Sequence, residues 1–206
     1  MCHLCTKQFE PLFNLRPFLT CQVHAVQARE RELDNSDTKG FYQWSSMAFV
    51  ELHTSQWDIV TNTQNTNANA NANPNANANA NANPNLFAHY AIDLAYWIID
   101  VHNILQRTRN TGYAFEGIVH AYEAARQTGD TKAMAKFAST VDTGLWKLTS
   151  WQVSGPNQNP YLTRATQIAE VAVGGVLNHR KEPTIRIDVT QHQMHAVVLA
   201  LKYLYP

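Results

Sequence analysis

The chain is short of charge. Only 16% of its 206 residues are Asp, Glu, Lys or Arg, and the 16 basic residues balance the 16 acidic ones. A chain without net charge offers no long-range attraction to polyanions, so its composition argues against nucleic acid and anionic membranes as partners. Part of the shortage comes from a tract of Asn, Ala and Pro in the middle of the chain.

Long apolar runs and targeting signals are also missing. No run of about 18 consecutive apolar residues occurs, the length that a membrane-spanning helix requires. The first residues, MCHLCTKQFEPLF, lack the basic region followed by an apolar region that marks a secretory signal. The chain also has no Asn-x-Ser/Thr glycosylation acceptor. We therefore expect a cytoplasmic protein with no membrane partner.

Well-known catalytic motifs do not occur. The sequence contains no GxSxG elbow, no phosphate-binding glycine loop, no dinucleotide fingerprint and no HExxH metal-peptidase motif. The sequence motifs alone therefore do not decide whether the protein is an enzyme.

Cysteine is scarce, but the three cysteines lie near one histidine. Cys2, Cys5, Cys21 and His24 form the pattern C-x2-C-x15-C-x2-H. Two ligand pairs separated by a loop of this length match the spacing of structural zinc sites, because each pair can turn two donors toward one tetrahedral ion. The spacing predicts a zinc site. Three reduced cysteines in a packed or poorly ordered segment are the alternative.

A tract of Asn, Ala and Pro divides the chain. Every residue from 67 to 85 is one of these three, and the composition resembles the NANP repeat of the malaria circumsporozoite protein. Such a tract cannot bury enough apolar area to offset the entropy lost on ordering. Residues 65–85 are therefore predicted to be a linker, natural or artificial. It separates a helical, aromatic-rich segment, residues 1–64, from a C-terminal domain, residues 86–206.

The C-terminal domain has the pattern of helical hairpins. Apolar residues recur at steps of three and four within residues 86–107, 113–128 and 131–149, which is the helical period. Gly129 suits the position after a helix, and Asp130 suits the N-cap of the next. Further helices are predicted over residues 161–173 and 188–205. The sequence thus predicts an all-α fold of antiparallel hairpins, because short links make neighbouring helices antiparallel.

Four pieces of the C-terminal domain carry a family resemblance: GYAFEGIVHAYEAARQTGD, the helix of residues 131–151, AVGGVLNHR and VTQHQMHAVVLALKYLY. Together they resemble the (α/α) toroids of the six-hairpin glycosidase-like superfamily. The resemblance implies a partial toroid or helical bundle that acts on or binds carbohydrate, as a truncated glycosidase- or lyase-like unit. The alternative is a non-catalytic scaffold subunit of a larger assembly, with a protein partner.

The densest polar cluster lies within residues 174–198. On the last predicted helix, Asp188, His192 and His195 are spaced to share one stripe. An imidazole oriented by a carboxylate can act as a general base or a metal ligand. Glu116 is a candidate general acid because it lies in apolar helical surroundings, and Glu170 is the alternative on the same ground. The apolar residues of the last helix are predicted to face the core: Met194, Val197, Val198, Leu201 and Leu204.

Other side chains could recognise a hydroxylated or anionic ligand. Guanidinium and amide groups bind carboxylates and hydroxyls, and aromatic rings can stack on a sugar. The ligand-binding candidates are Asn178, His179, Arg180 and Arg186 in a predicted loop, together with Trp146, Trp151 and Tyr161. Each site candidate has a structural alternative, as a packed core residue, a hydrogen-bonded histidine or a surface charge.

Overall fold

The computed structural model describes residues 36–55, 85–157, 162 and 170–206. The helices of this part are α1 (Ser36–Thr54), α2 (Leu86–Tyr96), α3 (Gly112–Thr128), α4 (Thr131–Thr149) and α5 (Ile187–Tyr203). Shorter elements are a π-helix (Trp97–Val101), two 3-10 turns (Ile104–Gln106 and Glu170–Ala172) and the strands β1 (Leu177–His179) and β2 (Glu182–Ile185). The predicted all-α fold is confirmed.

Helix α3 is the centre of the fold. Twelve of its 17 residues are buried, because α1, α2, α4 and α5 all pack against it. Phe115, Ile118 and Val119 are among its fully buried side chains. A helix that is surrounded in this way needs small or apolar residues on nearly all sides, which makes any charged residue on it conspicuous.

The α3–α4 hairpin forms as its connecting residues predict. Gly129 ends α3 in the left-handed conformation, with φ of 75°, which glycine adopts without steric strain. Asp130 caps α4, because its side chain accepts a hydrogen bond from the Ala133 N–H at 2.9 Å. The antiparallel hairpin is confirmed.

Helix α1 shares a core with the helices that follow the Asn-Ala-Pro tract. Phe49 and Val50 are buried. The ring centroid of Phe49 lies 6.1 Å from that of Phe87 and 5.6 Å from that of Tyr90. Helix α1 therefore packs into the same hydrophobic core as α2. Sequence periodicity identifies amphipathic helices, but not which of them pack together across a linker.

The helix predicted over residues 86–107 is interrupted. After α2 the chain widens into the π-helix Trp97–Val101 and then turns through Asn103, which has φ of 59°. His102 is buried and stacks on Trp97, with 5.5 Å between ring centroids. The His102 carbonyl also accepts a hydrogen bond from Arg107 Nε at 2.8 Å. These local contacts replace the regular helical hydrogen bonds.

The segment predicted as a polar loop is a two-stranded hairpin. Strands β1 and β2 are antiparallel, with Leu177 opposite Ile185 and an irregular register between Leu177 and His179. The Asn110 N–H donates to the Asn178 carbonyl at 2.8 Å. The hairpin is therefore held against the start of α3 and leads the chain into α5.

The face of α5 that packs against the core is not the face that was predicted to do so. Its buried residues are Val189, Gln193, Ala196, Leu199 and Ala200, whereas Met194, Val197, Val198 and Leu201 are exposed. The prediction that these four residues face the core is wrong. Helix α5 is apolar on two opposite sides, so the helical period alone does not show which side packs against α3.

We expect Gly144→Ala to lower the free energy of unfolding by about 2 kcal/mol. A Cβ atom at Gly144 would overlap the ring of Phe115, which is fully buried and cannot move aside. Urea unfolding followed by circular dichroism measures the effect. Thr143→Ala, at an exposed position of the same helix, is the control and should change stability by less than about 0.5 kcal/mol. Equal stability of Gly144→Ala and the parent would contradict this packing.

Candidate functional site

A buried carboxylate joins α3 to α5. The side chain of Glu116 is 2% exposed, and its Oε1 accepts hydrogen bonds from His192 Nδ1 at 3.0 Å and from His195 Nδ1 at 2.9 Å. The two histidines are three residues apart on α5, so their rings project toward the same side of α3. Hydrogen bonds to the carboxylate offset the cost of removing it from water.

The two imidazoles connect the buried carboxylate with the surface. The side chain of His192 is 24% exposed and that of His195 is 48% exposed. An ionised carboxylate only accepts hydrogen bonds, so each Nδ1 carries the proton that it donates. In a neutral ring Nε2 then carries the lone pair. The carboxylate thus sets the tautomer and the orientation of both rings, as acids do for metal-binding and catalytic histidines.

Two further residues of α3 adjoin this cluster. The Tyr113 ring is edge-on to His192, with 6.0 Å between centroids. His120 is buried, and its Nδ1 hydrogen-bonds to the Glu116 carbonyl at 2.8 Å. Sequence reasoning missed both. Their spacing of three and four residues from Glu116, which puts all three on one side of the helix, was the available signal.

Asp188 pairs with its own neighbour in sequence. Its carboxylate accepts hydrogen bonds from Arg186 Nε at 3.0 Å and Nη2 at 2.6 Å. The hydrogen bond from Arg186 lowers the pKa of Asp188 from its usual value of 3.8. The carboxylate that orients His192 and His195 is that of Glu116, from another helix. A helical stripe identifies residues that share a face, but not the residue that packs onto that face.

A buried amide network holds the start of α3 against α5. Asn110 Nδ2 donates to Gln193 Oε1 at 3.0 Å, and Asn110 Oδ1 accepts from the Gly112 N–H at 2.8 Å. Gln193 Nε2 donates in turn to the Leu148 carbonyl at 3.2 Å. A Cβ atom at Gly112 would lie 2.7 Å from the backbone nitrogen of Gln193. This close approach sets the rotation of α5, and with it the direction of His192.

The other candidates of the β1–β2 hairpin lie at or near the surface. Asn178 and His179 are half-buried, whereas Arg180 and Arg186 are exposed. His179 Nδ1 is 3.7 Å from Glu182 Oε1. Arg186 directly precedes α5, so the hairpin and the histidines are connected through the first turn of that helix. The guanidinium groups of Arg180 and Arg186 therefore both lie at the surface, and that of Arg186 is bound by Asp188.

The two candidate tryptophans have opposite environments. Trp146 is 64% exposed, whereas Trp151 is 2% exposed. Lys147 Nζ lies 5.6 Å from the Trp151 ring centroid and donates hydrogen bonds to the Leu105 and Arg107 carbonyls at 2.8 and 2.7 Å. Burial lowers the pKa of Lys147. Trp151 is therefore a core residue and not an accessible stacking surface, because the chain turns back into the core directly after α4.

Several site candidates lie outside the described residues: Cys2, Cys5, Cys21, His24 and Tyr161. The zinc site stays a prediction. Among the residues that the structure describes, no three His, Cys, Asp or Glu side chains are grouped so as to hold a metal ion. In the same part of the chain, no helix has the length and apolar character needed to cross a membrane.

No protein-family model, curated protein or solved structure matches the chain. The resemblance of residues 86–206 to (α/α) toroids therefore stays a prediction.

Because His120 is buried, we expect the free energy of unfolding to depend on pH. Removal from water lowers the pKa of His120 from its usual value of 6.5, so the unfolded chain takes up a proton at a higher pH than the folded one. Below the unfolded pKa the unfolded state binds more protons, and the free energy of unfolding falls as the pH falls. We expect His120→Gln to lose less stability than the parent between about pH 7 and pH 5.5.

Urea unfolding at a series of pH values measures this difference. His89→Gln, at an exposed histidine of α2, is the matched control and should keep the parent's pH dependence. An unchanged pH dependence in His120→Gln would show that the ring does not contribute.

Proposed function

We propose that the protein binds a carbohydrate, or a related hydroxylated or anionic small ligand, where His192 and His195 reach the surface beside Glu116. One observation carries the proposal. A single oxygen of a carboxylate that is 2% exposed accepts a hydrogen bond from the Nδ1 atom of each of two partly exposed imidazoles. This arrangement fixes the orientation of both rings, and each ring is partly exposed to solvent.

A comparison with the second buried glutamate of α3 supports a functional reading of Glu116. Glu123 is buried and is bound within its own helix, by Arg126 Nε at 2.6 Å and Gln127 Nε2 at 2.7 Å. Such pairing with a neighbour is sufficient to stabilise a buried acid. Glu116 has instead two histidines from another helix, and both of their side chains are partly exposed.

The residues of the site take distinct roles in this proposal. His195, the more exposed ring, accepts a hydrogen bond or a proton from the ligand, and His192 assists it. Glu116 is a positioning residue that stays buried beneath both. Arg180, with Asn178 and His179 of the β1–β2 hairpin, attracts and orients an anionic or hydroxylated group, whereas the guanidinium of Arg186 is held by Asp188.

The same geometry bears on the type of reaction if the ligand is a substrate. Hydrolysis of a glycosidic bond usually uses two carboxylates on opposite sides of that bond. The cluster on α3 and α5 has one carboxylate, and it is covered by two histidines. A base oriented by an acid suits removal of a proton beside a carboxylate or carbonyl group, so a lyase-like role fits better than a glycosidase-like one.

A second candidate function is favoured by the exposed side of α5. Met194, Val198 and Leu201 are apolar and exposed on one helix, and an apolar surface of this kind typically marks an interaction site. A helical subunit of a larger assembly, as an alternative to the ligand-binding role, would use this face.

Saturation-transfer NMR with a panel of neutral and uronate-containing oligosaccharides tests the ligand-binding proposal. We expect the parent to bind at least one of them. His192→Ala and His195→Ala should each weaken that binding at least about tenfold, or by about 1.4 kcal/mol, because an oriented hydrogen-bonding group is lost. His89→Ala, at an exposed histidine of α2, should bind as the parent does.

Glu116→Gln separates positioning from direct contact, since it keeps the size of the side chain but removes its charge. It should weaken binding while the circular dichroism spectrum stays that of the parent. The proposal fails if the parent binds no member of the panel, or if the His192→Ala/His195→Ala double variant binds unchanged.

A further inference from the structure

The charged residues of the chain are unevenly distributed. The 16 basic residues balance the 16 acidic ones over the whole chain, but residues 101–115, 143–157 and 171–181 contain no Asp or Glu. The basic residues of these stretches form what we call the basic surface: Arg107, Arg109, Lys147, Arg180 and Lys181. Neutrality of the whole chain removes long-range attraction to an anion, but a local excess of positive charge still acts within about 10 Å.

The fold brings these three stretches together beside the start of α3. The Arg180 N–H donates a hydrogen bond to the Thr108 carbonyl at 3.2 Å, which joins the β1–β2 hairpin to the segment before α3. Lys147 Nζ donates to the Arg107 carbonyl at 2.7 Å, which joins α4 to the same segment. The stretches without acidic residues are therefore neighbours in space.

None of the five cations is paired with a carboxylate in the part of the chain that the structure describes. Arg107 binds the carbonyl and Nδ1 of His102, and Lys147 binds backbone carbonyls. The other three are exposed. Burial, and after it the nearby charge of Arg180, lowers the pKa of Lys147, as expected for two cations without an acid between them.

The exposed acids that flank these stretches in sequence do not neutralise the basic surface. Asp100 is bound by a lysine of α4 at 2.6 Å, and Asp142 accepts a hydrogen bond from the Tyr205 hydroxyl. The other two are Glu170 and Glu182. Even if both carboxylates lie near the five cations, positive charge remains in excess, and such an excess favours the binding of an anion.

We propose that the basic surface binds an acidic oligosaccharide, with sugars that carry carboxylate groups. The positive charge of the surface specifies an anion, and the choice of a sugar rests on the proposed function. Guanidinium groups suit this ligand because they donate two parallel hydrogen bonds to one carboxylate. Domains that bind nucleic acid typically carry a net positive charge, whereas this chain has none, so an acidic sugar is the favoured anion.

The basic surface adjoins the histidines of the proposed site. Arg109 is three residues before Gly112, a distance of at most about 10 Å along the chain. A Cβ atom at Gly112 would lie 3.1 Å from the carbonyl carbon of His192. A ligand of several sugars therefore binds the cations with its acidic groups, while His192 and His195 contact a sugar next to them.

Anisotropy titration of the full chain with two labelled oligosaccharides of equal length, one uronate-bearing and one neutral, tests the proposal. We expect the parent to bind the uronate chain at least about tenfold more tightly than the neutral chain in about 50 mM NaCl. This preference should shrink when the salt is raised to about 300 mM, because salt screens the attraction between exposed charges.

A double variant removes two exposed cations that have no assigned role in the histidine site. Arg109→Ala/Lys181→Ala should weaken binding of the uronate chain at least about tenfold and leave binding of the neutral chain unchanged. Lys132→Ala/Lys202→Ala removes the same charge at exposed positions of α4 and α5 and should bind both chains as the parent does. Circular dichroism checks that each variant keeps the fold.

The His192→Ala/His195→Ala variant separates this proposal from the proposed function. A uronate preference that persists in this variant, but is lost in Arg109→Ala/Lys181→Ala, would support the basic surface even if the histidines bind no sugar. Equal binding of both chains by the parent would overturn the basic surface and leave the proposed function intact. So would an unchanged preference in Arg109→Ala/Lys181→Ala, or tighter binding of a single-stranded oligonucleotide of equal charge. A parent that binds neither chain would overturn both proposals.

Discussion

A carboxylate in the middle of a helical core must be hydrogen-bonded, and Glu116 imposes this requirement on the fold. Helix α3 is buried on nearly all sides, so water does not solvate the acid, and the partners have to come from a neighbouring helix. Helix α5 provides them through His192 and His195. The contact ties two helices far apart in sequence, and it orients two ionisable rings at the surface. Structure and candidate chemistry therefore depend on the same interaction.

The position of α5 follows from a second, uncharged network. Asn110 bonds to Gln193 and, through its backbone, to Asn178, while Gly112 allows the backbones of α3 and α5 to approach closely. These contacts set which side of α5 meets the core. Its other apolar side is left at the surface, beside His195. The helix that orients the candidate site is thus also the one with the exposed apolar stripe.

Features that depend on near neighbours could be predicted from the sequence. Gly129 and Asp130 specify the α3–α4 hairpin by local backbone conformation and capping, and the helical periods of α3 and α4 are regular. One prediction of surroundings failed, because four apolar residues of α5 that were expected inside are exposed. For Trp151 the structure selects the core alternative, under Lys147. Each depends on which elements pack together, and a period of 3.6 residues does not contain that information.

Interactions between near neighbours specify the class of the fold, the α3–α4 hairpin and the residue types that a site would use, because helix formation and capping act over a few residues. The sequence also indicated His192 and His195 together, as a stripe with Asp188 on the last helix, and Glu116 separately. That these three meet depends on tertiary packing, since residues 116 and 192 are brought together where α5 lies on α3. The carboxylate of Asp188 is bound instead by the guanidinium of Arg186, two residues away in sequence.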